Sequence, residues 1–357
     1  MKTSTRRVLV APLNWGLGHA TRCIPVIRFL KNSGHEVIIA TDGDALLLLK
    51  AEFPELKFHE LPGYEAYYSR GSSLVFSLAR QLPKFISAIK KEYNLVSTLV
   101  ETEQVEAIIS DNRYGVWSDK VPTAIISHQL NLLMPGGLRW MGPVVNAFHR
   151  RLLRKFKFIW IPDAAESVLS GCLSTTHRLT NARFIGPLSR FEFSNTNLPG
   201  TYDFLAVLSG PEPQRTMLEK ILLEQLPANG LTCLLVRGVV KSKTRTTYNN
   251  ITVVDFLPAI ELNMEMCRAR VVVARPGYST IMDLARLGKK AILIPTPGQT
   301  EQAYLGERAM TNNFAFVVNQ HNFNIAEALE RIKSCSGFPV TEVTDTALSV
   351  AVEELLQ

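Results

Sequence analysis

Short apolar runs recur along the chain, separated by stretches of helical periodicity and by turn residues. Arg7–Pro12 (RVLVAP), Glu36–Thr41 (EVIIAT), Ala107–Ser110 (AIIS) and Thr123–Ser127 (TAIIS) are apolar without alternation. That is the pattern of strands covered on both faces. Ala20–Ser33 reads as the helix after the first strand, and Leu74–Val100 carries helical periodicity broken near Pro83. Around residues 183–201 (RFIGPLSRFEFSNTNLPGT) the character changes to two prolines, two glycines and a polar cluster, which predicts a linker over 186–201. The alternation then restarts. Strands are predicted at Phe204–Leu208, Thr232–Val236, Ile251–Val254, Val271–Ala274 and Ala291–Ile294, with helices over Gln214–Gln225 and Thr280–Leu287. Strands alternating with helices predict an α/β fold of two doubly wound, Rossmann-like domains, residues 1–185 and 202–357.

In such sheets ligands bind beyond the carboxyl ends of the strands, so the loops there are where chemistry is sought. The first strand runs into NWGLGHATR. Gly16 and Gly18 let the backbone turn tightly, and His19 stands at the start of the following helix, where an imidazole can act as a general base or simply cap the helix. The segment lacks the third glycine of a dinucleotide fingerprint. Asp111 follows AIIS and His128 follows TAIIS, both on the same edge as His19. Asp111 can orient His19 or serve as base itself, His128 can meet an acceptor, and either can equally be a satisfied loop residue.

The second half repeats the device. VVVA leads into RPGYSTIMD, where Gly277 supplies the turn, Ser279 and Thr280 stand at a helix N-cap and Asp283 lies in the first turn. Uncapped N–H groups at such a terminus hold a pyrophosphate, and Asp283 can accept from ribose hydroxyls. After the next strand comes the stiff polar loop Pro295–Gln302, whose Gln299, Glu301 and Gln302 offer the donors and acceptors that sugar hydroxyls need.

Phe256–Ala309 resembles the nucleotide-sugar signature of GT-B glycosyltransferases, in which two Rossmann-like domains face each other across a cleft. The similarity is closest to the N-acetylglucosaminyltransferase of lipid-linked peptidoglycan synthesis and its uncharacterised relatives. By position, the resemblance implies that Gly277, Ser279 and Thr280 face the UDP phosphates and Asp283 the ribose. It places Glu301 and Gln302, with Gln299, on the donor sugar, and Phe256 and Leu257 behind the base. Ser209 and Gly210, after the first strand of the second domain, match a further phosphate contact. GLGHATR resembles the family's first glycine-rich loop, with His19 at the reacting centre. Its GxGHxxR form is also similar to a nucleotide-sugar hydrolase on the same fold.

Charge adds a partner. The formal net charge of +7 lies entirely in the first half: residues 1–180 hold 22 Lys and Arg against 15 Asp and Glu, and residues 181–357 hold 17 against 17. In Pro143–Phe158 (PVVNAFHRRLLRKFKF), Val145, Phe148, Leu152 and Phe156 recur at helical spacing among Arg150, Arg151, Arg154, Lys155 and Lys157. With Leu138, Trp140 and Met141 upstream, residues 138–158 either lie on an anionic membrane or form a basic helix packed on the sheet. No zinc-finger or RNA-recognition motif is present, so no nucleic-acid partner is expected. The five cysteines stand singly, which predicts neither a zinc site nor a disulfide framework. MKTSTRRVLVAP reads as a strand rather than a leader, and no apolar stretch of about 18 residues appears, so a cytoplasmic protein, peripheral on the membrane at most, is expected.

These readings converge on a glycosyltransferase that moves a hexose-type sugar from a UDP-sugar to a hydroxyl acceptor with inversion. His19 or Asp111 takes the acceptor proton, and the Ser279–Thr280 terminus, with Arg275 if it turns inward, stabilises the leaving diphosphate. No metal or cofactor is expected beyond the donor substrate. A nucleotide-sugar hydrolase, an epimerase on the same fold and a non-catalytic sugar-nucleotide binder are the alternatives.

Overall fold

A computed structural model of the chain describes residues 5–64, 74–177, 179–192, 202–226, 230–340 and 345–357. It divides into two compact units, Met1–Leu188 with Val343–Gln357, and Ser189–Glu342. In the first, β1 (Arg7–Pro12), α1 (Leu17–Asn32), β2 (Glu36–Thr41), α2 (Gly43–Glu52), β3 (Lys57–Glu60), α3 (Leu74–Thr102), β4 (Ala107–Asp111), β5 (Thr123–Ile126), α4 (Gly142–Leu153), β6 (Phe158–Ile161) and β7 (Ala182–Phe184) follow in order. They build one parallel sheet of order β3-β2-β1-β4-β5-β6-β7. The apolar runs are its centre: Val8, Leu9, Ile108, Ile109, Ile125 and Ile126 are fully buried, each burial contributing roughly 1.5–3 kcal/mol.

The second unit contains β8 (Tyr202–Val207), α5 (Gln214–Gln225), β9 (Cys233–Val236), β10 (Arg245–Tyr248), β11 (Ile251–Val254), α6 (Ala259–Arg268), β12 (Ala269–Ala274), α7 (Tyr278–Leu287), β13 (Ala291–Leu293), α8 (Thr300–Thr311), β14 (Ala315–Val317) and α9 (Ile325–Lys333). Its sheet runs β10-β11-β9-β8-β12-β13-β14, parallel except for β10. Phe204, Leu218, Leu222, Leu235, Val273 and Ile292 form its core with Ala328 and Ile332 of α9.

Three expectations change. The last helix, α10 (Asp345–Leu356), belongs to the first unit rather than the second, where Arg183 of β7 donates to Glu354 at 3.1 Å. Its apolar positions Leu348, Ala351, Val352 and Leu355 show a buried face, but periodicity carries no information on which sheet receives it. Within the expected linker, residues 189–192 are fastened to the second unit: Asn263 donates to Glu192 O at 3.1 Å and Arg286 to Phe191 O at 3.4 Å. Residues 193–201 lie outside the described residues. Finally, α3 continues through Pro83, with Ala88, Val96, Leu99 and Val100 burying its later turns. A proline removes one intrahelical hydrogen bond, and tertiary packing outweighs that loss here.

The basic segment also differs from its pattern. α4 stops at Leu153, its buried residues are His149 and Leu153, and Phe156 is buried beyond the helix. Trp140, Val144 and Phe148, at four-residue spacing, are instead exposed. Among the described residues, no helix is long and apolar enough to cross a membrane.

Candidate active site

In the first sheet the strand order reverses between β1 and β4, and their ends pair, Pro12 with Asp111. Loops leaving such a point diverge and open a crevice at the sheet edge. The chain enters α1 through Gly16 at φ 81° and ψ 167°, a backbone state that glycine adopts freely and other residues resist. The helix starts at Leu17, three residues before the expected Ala20, so Gly18 and His19 lie in its first turn.

His19 Nδ1 lies 2.7 Å from Asp111 Oδ1. An ionised carboxylate only accepts, so Nδ1 carries a proton, and in the neutral ring the lone pair is then on Nε2. Asp111 and Arg22 are fully buried and form a bidentate ion pair, and Arg22 also reaches His128 Nδ1 at 3.0 Å. Burial works against the charge of Asp111, but Arg22 and His19 outweigh it and hold the carboxyl at about 2. Of the two roles open to Asp111, the geometry supports orienting His19 rather than acting as base. The structure therefore brings His19, Asp111 and His128 together. Sequence reasoning missed Arg22, although its signal was present: an arginine one turn after His19 inside an otherwise apolar helix face.

A second buried ion cluster holds the same edge rigid. Arg113 donates to Glu92 at 2.6 Å, Asp42 at 2.7 Å and the Pro62 carbonyl at 2.7 Å, and reaches the Pro12 carbonyl at 3.3 Å. It thus ties together the loops after β1, β2, β3 and β4. Gly115 is required beside it, because a Cβ there would lie 2.3 Å from Ile89 O and 2.6 Å from Glu92 Cβ.

In the second sheet the reversal falls between β8 and β12, whose ends pair as Val207 with Ala274. Ser209 and Gly210 leave β8 exposed, with Gly210 at φ 100°. Gly277, Ser279 and Thr280 follow β12. Phe256 and Leu257 follow β11, and Gln299, Glu301 and Gln302 follow β13, so every expected donor residue stands at the carboxyl edge of this one sheet. Gly277 is the N-cap of α7 at φ −73°, which any residue adopts, and makes no side-chain capping bond. Ser279 and Thr280 are thus first-turn residues rather than caps, and Asp283 lies in the second turn.

Asp283 is buried, accepts from Ser189 Oγ at 2.6 Å and lies 3.8 Å from Arg190. Burial raises its carboxyl to about 6 despite both partners. Ser189 came from the expected linker, where no motif marked it. Arg275 is not turned toward a leaving group as the sequence suggested. It is fully buried and donates to the carbonyls of Ile294, Pro295 and Gln214 and to Gln320 Oε1, and burial lowers it to about 10. With no carboxylate at its guanidinium in those contacts, it braces the loop after β13 from beneath. Gln302 is spent on the same loop, accepting from the Thr296 N–H at 2.7 Å. Gln299 is the N-cap of α8 and Glu301 stands in its first turn, both half-buried.

Residues 234–349 match the glycosyltransferase family 28 C-terminal domain. The chain is 24% identical to an uncharacterised glycosyltransferase of Methanosarcina acetivorans, across 83% of this chain and 81% of the relative. Over 98 residues it is 30% identical to the UDP-N-acetylglucosamine–N-acetylmuramyl-(pentapeptide) pyrophosphoryl-undecaprenol N-acetylglucosamine transferase of Methylobacterium radiotolerans, across 26% of this chain and 27% of that protein. The fold is that of the spinosyn rhamnosyltransferase SpnG complexed with thymidine diphosphate, at a TM-score of 0.62 and 14% identity over 98% of this chain and 100% of the other. Residues 234–349 thus match a family 28 C-terminal domain, and the chain as a whole is similar to glycosyltransferases of GT-B fold.

Proposed function

We propose that the protein transfers a sugar from a UDP-sugar to a hydroxyl acceptor with inversion at the anomeric carbon, without a metal. The observation that carries this reading is His19, held by a buried, ionised Asp111 with the Nε2 lone pair available. In the proposed step Nε2 takes the acceptor's proton as the acceptor oxygen bonds to the anomeric carbon. The bond from that carbon to the diphosphate oxygen breaks, and the diphosphate leaves with the electron pair. Attack opposite the leaving group inverts the centre. The diphosphate is received by the N-terminus of α7 with Ser279, Thr280 and the Ser209–Gly210 loop, where N–H groups and the helix dipole favour negative charge. Asp283 serves the ribose, and Glu301 with Gln299 the sugar, on a loop shaped by Arg275 and Gln302. A relative named for a UDP-sugar and a neighbour complexed with a nucleoside diphosphate support the donor class.

The test is to follow UDP release from a panel of UDP-sugars with and without glycan, lipid and small-molecule hydroxyl acceptors. Release that requires an acceptor supports transfer. Release into water alone makes the protein a hydrolase, and a new sugar isomer without release makes it an epimerase.

The exposed Trp140, Val144 and Phe148, near Arg139, Arg150, Arg151 and Arg154, fit a peripheral site on an anionic membrane, and a lipid-borne acceptor would then be met at the surface. Co-sedimentation with phosphatidylglycerol vesicles, reduced by Trp140→Ser with Phe148→Ser, supports that part. Equal sedimentation of both forms removes it.

A further inference from the structure

Two histidines of the first unit, His19 and His128, sit on opposite ends of one ion pair, and elementary hydrogen-bond chemistry assigns their protons. Arg22 is a donor only. Its terminal nitrogen lies 3.0 Å from His128 Nδ1, so that nitrogen must accept, and a neutral His128 carries its proton on Nε2. Asp111 is an acceptor only. Its Oδ1 lies 2.7 Å from His19 Nδ1, so that nitrogen must donate. The other terminal nitrogen of Arg22 also lies at hydrogen-bond distance from His19 Nδ1, 3.0 Å, but it already donates to Asp111 Oδ1, and the shorter 2.7 Å contact to the ionised carboxylate decides the His19 proton.

We infer that Arg22 is a positioning residue that sets His19 and His128 in opposite tautomers, so that one ion pair makes the first a proton acceptor at Nε2 and the second a fixed donor there. A proton on His128 Nδ1 would face a guanidinium N–H directly, so the geometry leaves that nitrogen as an acceptor. Two further titratable groups stand against the pair: Cys23, whose thiol is 3.6 Å from Asp111 and pushed up by burial, and Tyr114, whose hydroxyl is pushed up by burial and donates to or accepts from His149 at 2.9 Å. Neither supplies a competing proton. The tautomer assignment stands on geometry alone, whereas its value to catalysis rests on His19 being the base.

Long-range proton–nitrogen NMR spectra of the uniformly labelled full chain near neutral pH test it, with His19→Gln and His128→Gln assigning two of the seven histidines. His19 is expected as the Nδ1–H tautomer and His128 as the Nε2–H tautomer. Arg22→Lys keeps a charge but cannot span both partners, so its His128 signal should move to a tautomer average and kcat should fall with little change in KM. Like tautomers on the two rings in the unaltered protein overturn the inference, whatever the variant does. So does an Arg22→Lys protein that keeps both signals. If the tautomers are as stated but His19→Gln turns over normally, the assignment of Arg22 stands and the base assignment fails.

Discussion

Replacing Asp283 by Asn separates the cost of burying this carboxylate from its use. Folding raises its pKa from an ordinary 3.8 to about 6. The folded state therefore binds more protons than the unfolded one between those values. Stability is greatest below about pH 4, declines as pH rises through about 6, and is flat above. At about 1.4 kcal/mol for each tenfold difference, the charged form costs roughly 3 kcal/mol at pH 8. Asn retains an oxygen to accept the Ser189 hydroxyl and removes the charge, at the cost of the 3.8 Å attraction to the Arg190 side chain and of a weaker acceptor for the Arg190 backbone N–H. Thermal melts from pH 4 to pH 8 should show the unaltered protein losing stability with pH and Asp283→Asn lacking that component. The gap near pH 8 should be on the order of 5–10 °C for a unit of this size. Nucleotide titration of the same variant should show weaker binding, since a neutral amide accepts less strongly from ribose hydroxyls. A variant less stable than the parent at every pH, or one with the parent's pH slope, would refute the claim that this carboxylate is held at a cost.

His19→Ala should lower turnover by about a hundred- to ten-thousandfold while leaving UDP affinity intact, as steady-state kinetics beside titration calorimetry would show. Arg113→Met leaves Glu92 and Asp42 without their shared cation, and urea unfolding should register a loss of about 3–5 kcal/mol. Turnover measured after exhaustive chelation with EDTA should be unchanged, because the proposed step assigns the leaving charge to N–H groups; loss of activity restored by a divalent cation would overturn that.

The strands were legible because they are buried on both faces: RVLVAP, EVIIAT and VVVA are unbroken apolar runs and coincide with β1, β2 and the body of β12. Residues at their carboxyl ends could then be named from sequence, and His19, Asp111 and His128 meet as a consequence of strand order. The partners were harder. Arg22 and Ser189 act through contacts across the fold, and no local pattern encodes a guanidinium shared between β4 and β5 or a hydroxyl delivered to α7. Arg275 shows the converse: its place in the motif suggested a ligand contact, whereas burial committed it to carbonyls. Helix starts misled by three residues at α1 and two at α7 because Leu17 and Tyr278 continue the helix into a loop that glycine alone seemed to mark. α10 was placed in the wrong unit because amphipathicity states that a face is buried and is silent on its neighbour.

The central claim, a nucleotide-sugar donor held by the second unit, is tested most directly by calorimetric titration of the full chain with UDP beside TDP, GDP and NAD. The account predicts saturable binding of UDP in preference to the others, weakened when Ser279 and Thr280 are both replaced by Val. Absence of binding to every nucleotide, or UDP binding unaffected by that double substitution, would contradict it.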